Sequence, residues 1–214
     1  LMSNGLELAA CQLKPVKEEH FNPLAVLPFG VTIEHIQYAL NDFLDFLCFI
    51  NTQLYSRESP RLETLLMAAN FSSVVGEYMH YSIPRYCSSV VKNRWFNGHP
   101  DLIPAGRYVD NKVQHGEEGI EIKASRYTGG WQGHNPEDTW LMVFVYDSNR
   151  PSNELSKPEP PRPFRFLGVF GAALLRKDWS FSGRSGTSRR TITASVLKSG
   201  RTKMLNNWIY RLPS

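Results

Sequence analysis

Residues 120–124, Ile-Glu-Ile-Lys-Ala, alternate apolar and charged side chains, and this short run constrains the fold more than any other part of the chain. Successive side chains on a strand point to opposite faces. Ile120, Ile122 and Ala124 therefore predict one core-facing row, and Glu121 and Lys123 share the other face. The next apolar run, Thr-Trp-Leu-Met-Val-Phe-Val-Tyr-Asp at 139–147, reads as the neighbouring central strand. Residues 164–175, apolar and dotted with glycine, suit a further buried strand, and 189–197 alternate as an amphipathic strand would.

Helical signals dominate the N-terminal part. Residues 1–30 show no clear period and hold Pro15, Pro23 and Pro28, so a loop with a short helix is expected. Between Thr32 and Tyr55, Ile33, Ile36, Leu40, Phe43, Leu44, Leu47, Ile50 and Leu54 form one stripe at helical spacing. A second helix is predicted from Ser59-Pro60, a capping residue followed by proline at the first helical position, to about Tyr81, with Pro84 as its stop. Glu63 in its first turn is expected to favour the helix dipole. Asn97-Gly98, Pro104-Ala105-Gly106 and Ser199-Gly200 read as turns. Residues 150–163 hold five prolines and read as an extended surface linker. The division expected is a helical segment over 1–58 and a core over 59–214, together one compact domain of α/β class. At 214 residues the chain is long enough to bury a substantial core.

A turn that brings Asp101 alongside the charged face of the 120–124 strand would gather two carboxylates and one ammonium. Two acids make an oxygen-rich site for a hard divalent cation, and a lysine beside it can hold or deprotonate a water. A competing acid-x-Lys at Asp110-Asn111-Lys112 ranks lower, because Asn111 is polar where a core strand buries a side chain. The six histidines form no His-x-x-x-His set, and no phosphate-binding or dinucleotide glycine loop is present, so neither a zinc hydrolase nor a nucleotide cofactor is expected.

Pro100-Asp101 followed by Glu121-Ile122-Lys123 resembles the signature of the PD-(D/E)xK nuclease superfamily, to which most type II restriction endonucleases belong. The resemblance implies a central mixed β-sheet flanked by helices, with a restriction-endonuclease-like core. It implies Mg2+, replaceable by Mn2+, on Asp101, Glu121 and the Ile122 carbonyl, with Lys123 orienting or deprotonating the attacking water. Members often carry a further acid on the helix leading into the sheet, which makes Glu77 the candidate here.

Charge points to the same class of substrate. Residues 162–214 hold eleven Lys/Arg against the single acid Asp178, while residues 1–161 hold thirteen basic and nineteen acidic residues. A positive field concentrated in one quarter of a chain attracts polyanions. Arg184, Arg189, Arg190, Arg201 and Lys203 are the expected phosphate contacts. In the glycine-rich loop 126–138, Arg126 is a further candidate, Trp131 could stack on a base, and Gln132 or Asn135 could read base edges. The expected function is a metal-dependent endonuclease cutting double-stranded DNA, foremost a type II restriction enzyme acting as a homodimer. A structure-selective nuclease of repair, recombination or mobile elements is the second expectation, and a non-catalytic nucleic-acid-binding protein the third. No run of about eighteen apolar residues predicts a membrane span. Three widely spaced cysteines read as reduced thiols, and a cytoplasmic, DNA-associated location is expected.

Overall fold

The computed structural model of the chain describes residues 2–181 and 194–213, with side chains from Gly5 onward. Five helices are described: α1 (Met2–Cys11), α2 (Ile33–Ser56), α3 (Leu62–Leu65), α4 (Ala68–Tyr86) and α5 (Lys198–Asn206). The strands are β1 (Val90–Lys92), β2 (Leu102–Pro104), β3 (Ile120–Ser125), β4 (Gln132–Gly133), β5 (Thr139–Asp147), β6 (Arg165–Leu174), β7 (Trp179–Phe181), β8 (Ala194–Val196) and β9 (Trp208–Arg211). A six-stranded sheet runs in the order β1-β2-β3-β5-β6-β9, and a small sheet in the order β4-β8-β7. In the large sheet β3 and β5 are parallel and the other pairs antiparallel. The fold is thus α/β around a central mixed sheet, as expected.

The β5 run lacks alternation because both of its faces are covered. Met142, Phe144 and Tyr146 join Ile120, Ile122, Phe164 and Phe166 under α2 and α4, against Phe43, Phe71 and Met79. Leu141, Val143 and Val145 face the opposite way, into a second cluster with Trp131, Phe170, Trp179 and Met204. Each large apolar side chain removed from water contributes about 1.5–3 kcal/mol. The doubly covered strand is therefore the anchor of the whole architecture. Glu121 and Lys123 lie on β3 beside Leu141 and Val143.

Helix α2 follows its stripe. Thr32 caps it reciprocally with His35, each accepting from the other's backbone N–H. The predicted second helix is instead two. Leu62 N–H donates to the buried Asn51 side chain at the start of α3, and Ala68 N–H donates to Glu154 at the start of α4. These tertiary partners, not Ser59-Pro60, set the helix ends. Pro84 does not stop α4 at Tyr81: the helix runs to Tyr86, because Cys87 N–H reaches the Ile83 carbonyl and closes the turn past the proline. Glu63 does stand in the first turn of a helix, α3, and its surroundings add more than the dipole. It is fully buried, ion-paired to buried Arg61 and bonded by Asn51. Arg61 also donates to Glu7, to Asn149 and to the Arg162 carbonyl, tying the N-terminal helices to the 149–162 loop.

Ser199-Gly200 is the first turn of α5 and not a loop turn. A Cβ at Gly200 would stand 2.9 Å from the Val196 side chain and 3.1 Å from Asp178 Cβ, so glycine lets the helix start against these side chains. No described helix is long and apolar enough to cross a membrane.

Candidate active site

The site grows from a defect in the sheet. Strand β2 pairs with β3 at Leu102 and Ile120 only, and beyond that point the two diverge. The β3 edge facing β2 is therefore left without ladder partners from Ile122 onward. Asp101, the residue just before β2, fills the gap: its Oδ2 accepts the Ile122 N–H at 2.7 Å. In a strand the N–H and C=O of one residue point the same way, so the Ile122 carbonyl faces the same open edge. Asp101 is aimed there by a tied-down turn. Asn93 N–H donates to the Asp101 carbonyl, and the buried Asn93 amide donates to the carbonyls of Pro100 and Val113. At the other end Gly119, with φ of +151°, approaches so closely that a Cβ would lie 2.3 Å from the Leu102 carbonyl oxygen.

Charged groups converge on this edge. Lys123 Nζ donates to Glu121 Oε1, while Glu121 Oε2 is 3.0 Å from His99 Nδ1. The other ring nitrogen of His99 is 3.0 Å from Glu137 Oε2. His80, from α4, places Nε2 3.3 Å from Asp101 Oδ2. Burial opposes the charge of Glu121, but the His99 hydrogen bond and the Lys123 ammonium hold its carboxyl well below the ordinary range. Burial would likewise discharge Lys123. The carboxylates of Glu121, Asp101 and Glu137 outweigh it and raise the ammonium pKa above 10.5. The carboxylates around it favour the ammonium form of Lys123, which can donate to water or phosphate. His99 is buried too, and its glutamate partners raise it above its ordinary 6.5.

These groups line a cleft of about 650 Å3 between α4, β3, the 97–99 turn and the 133–139 segment. Asp101, Glu121, Ile122 and Lys123 meet there, as the sequence spacing predicts. Glu77 reaches the same cleft, where it pairs with Lys92 at 2.8 Å and stands 3.6 Å from His80; the Lys92 contact lowers its pKa. Asp110-Asn111-Lys112 adjoins no strand: Val109–Asn111 form a 3-10 turn in which Asp110 has φ of +55°.

The expected nucleic-acid contacts fare unevenly. Trp131 is only 3% exposed, stacks on Phe170 and donates Nε1–H to the Tyr127 carbonyl. Its ring belongs to the core and is not offered to a base. Arg126 is spent inside the fold on the carbonyls of Ser148 and Asn149 and on the Tyr146 ring. Lys203 is committed to buried Asp178. Arg201 is exposed, with Nε on the Thr128 carbonyl. Gln132 is exposed on β4, next to the cleft-lining residues 133–135. Arg184, Arg189 and Arg190 lie outside the described residues.

His99, beside the proline of the motif, reads from the sequence as a turn histidine and here lines the cleft, while His80 and Glu137 line it without being singled out by the sequence. His80 follows Glu77 by one helical turn and so shares its face, and His99 stands two residues before Asp101 in the turn that leads into β2. Glu137 has no such signal. Neither a known family model nor a curated relative matches the chain.

Among the described residues no three His, Cys, Asp or Glu side chains form a ready-made metal cage. A cation here would rest on two carboxylates, one carbonyl and water. That donor set suits Mg2+, which retains several waters and needs few protein ligands.

Proposed function

We propose that the chain is a divalent-metal-dependent nuclease of the PD-(D/E)xK type that hydrolyses DNA phosphodiesters. The observation that carries this reading is the Asp101 carboxylate on the Ile122 N–H, which sets an acid from the turn before β2 beside an acid and an ammonium on β3. Asp101, Glu121 and the Ile122 carbonyl are the groups that would hold the metal. Bound there, Mg2+ would polarise a phosphate oxygen and lower the pKa of a coordinated water. Lys123 would orient the attacking water or assist its deprotonation, and offset phosphate charge. The His99 hydrogen bond holds Glu121 in one orientation, while Glu137 lies on the far side of the His99 ring and His80 stands 3.3 Å from Asp101. Glu77 sits at the rim as a supplementary acid.

Double-stranded DNA is the proposed substrate, and a sequence-specific homodimer the proposed form, since two-fold protein symmetry matches a palindromic target. The test is incubation with mixed plasmid DNA and Mg2+ or Mn2+, followed by sequencing of the ends. Uniform ends support site-specific cutting, and cutting confined to junctions or flaps supports a structure-selective nuclease. Asp101→Ala, Glu121→Ala and Lys123→Ala should each abolish cleavage with the fold retained. Wild-type protein that binds DNA but cuts no nucleic acid under these conditions would leave a binding protein in its place.

A further inference from the structure

The turn that aims Asp101 also carries an aromatic tip that hydrolysis does not use. Trp95 is 45% exposed and Phe96 87% exposed. The residues that follow them, Asn97, Gly98 and His99, line the cleft. Single exposed apolar side chains are ordinary. Two adjacent aromatics on a fixed turn beside a polar cleft are a different case.

The turn is fixed by its own hydrogen bonds. The Asn93 side chain accepts from the N–H groups of Trp95 and Val113, and Gly98 N–H donates to the Trp95 carbonyl. A Cβ at Gly98 would stand 2.5 Å from the Asn93 amide, so the chain closes tightly beneath the tip. The backbone that presents the rings is thus ordered before any ligand arrives, and a stacking partner would pay little further ordering entropy. Arg94 N–H donates to the Asn111 carbonyl, which brings Arg94 near Lys112. Both side chains are exposed, and neither forms an ion pair among the described residues. Two uncommitted cations beside an aromatic pair match a phosphate-linked base.

We propose that the Trp95–Phe96 tip is a stacking platform for an unpaired nucleobase of a strand whose backbone enters the cleft, with Arg94 and Lys112 on its phosphates. The course of the strand through the cleft rests on the nuclease reading; the platform itself does not. Every base has a π-face, so stacking of this kind holds a nucleotide without reading its identity. The platform therefore favours frayed, flipped or single-stranded DNA over intact duplex.

The test uses the full chain in EDTA, with fluorescence anisotropy on a single-stranded oligonucleotide and on its duplex. Trp95→Ala/Phe96→Ala should weaken single-strand binding about tenfold, the loss expected for one base–aromatic stack, and affect the duplex less. Phe96→Tyr should bind as the wild type does. Phe96→Ala alone gives the same direction without touching packing, should the double variant unfold. Equal single-strand affinity of wild type and Phe96→Ala overturns the platform, as does a wild type that binds no single strand. Cleavage of the same DNA in Mg2+ is scored separately: a wild type that never cuts removes the nuclease reading, while a stacking loss on Phe96→Ala still upholds the platform.

Discussion

Gly119→Ala is the substitution that most directly probes how the site is assembled. Gly119 has φ of +151°, a region that side chains rarely adopt, and an added Cβ would lie 2.3 Å from the Leu102 carbonyl oxygen and 2.9 Å from Pro100. Ordinary contact begins near 3.4 Å, so β2 and β3 would have to separate by about 1 Å. Backbone strain of this sort costs about 1–3 kcal/mol and overpacking a similar amount, giving a loss of about 2–6 kcal/mol. For a chain of this size that corresponds to a Tm drop of roughly 4–24 °C. The functional effect should exceed what stability explains. Asp101 immediately precedes β2, and a shift of about 1 Å between reacting groups costs on the order of a hundredfold in rate. Thermal unfolding by circular dichroism and Mg2+-dependent cleavage, both measured well below the lowered Tm, read the two effects apart. A folded Gly119→Ala protein that cleaves as fast as the wild type would refute the claim that β2–β3 spacing sets the carboxylate geometry.

Other outcomes follow from groups away from the cleft edge. Arg61→Ala strands a fully buried Glu63 and should cost about 3–5 kcal/mol in urea unfolding; a loss below about 1 kcal/mol would show that the network is wet. Trp131→Ala should lower stability by about 3–5 kcal/mol, as for other buried aromatics, and leave DNA affinity of the folded protein unchanged. Weaker DNA binding at full stability would return Trp131 to the interface. Burial works against the charge of Asp178, but the Leu175 N–H and Lys203 hold its carboxyl down to about 2. A depressed carboxylate stabilises the fold above its unfolded pKa of about 3.9 and loses that contribution as pH falls through about 2. Asp178→Asn should therefore flatten the stability-versus-pH curve between about pH 4 and pH 2, and an unaltered acid limb would contradict the pairing.

Periodicity and spacing along the chain encode its local structure. Alternation at 120–124 separated Glu121 and Lys123 from the core row, the apolar run at 139–147 marked a central strand, and the stripe at 33–54 marked α2. These signals survive because each depends on a repeat of two or 3.6 residues within one element. The ends of α3 and α4, the helix at Lys198–Asn206 and the burial of Trp131 were set instead by distant partners: Asn51, Glu154, Asp178 and Phe170. Long-range packing makes β2 leave β3 after one pair, which opens the edge that Asp101 occupies. It alone brought His80, His99 and Glu137 to that edge and spent Arg126 and Lys203 on internal contacts. A side chain's chemistry is written in its own residue, but whether its charge is free or already neutralised depends on which remote atoms the folded chain packs against it.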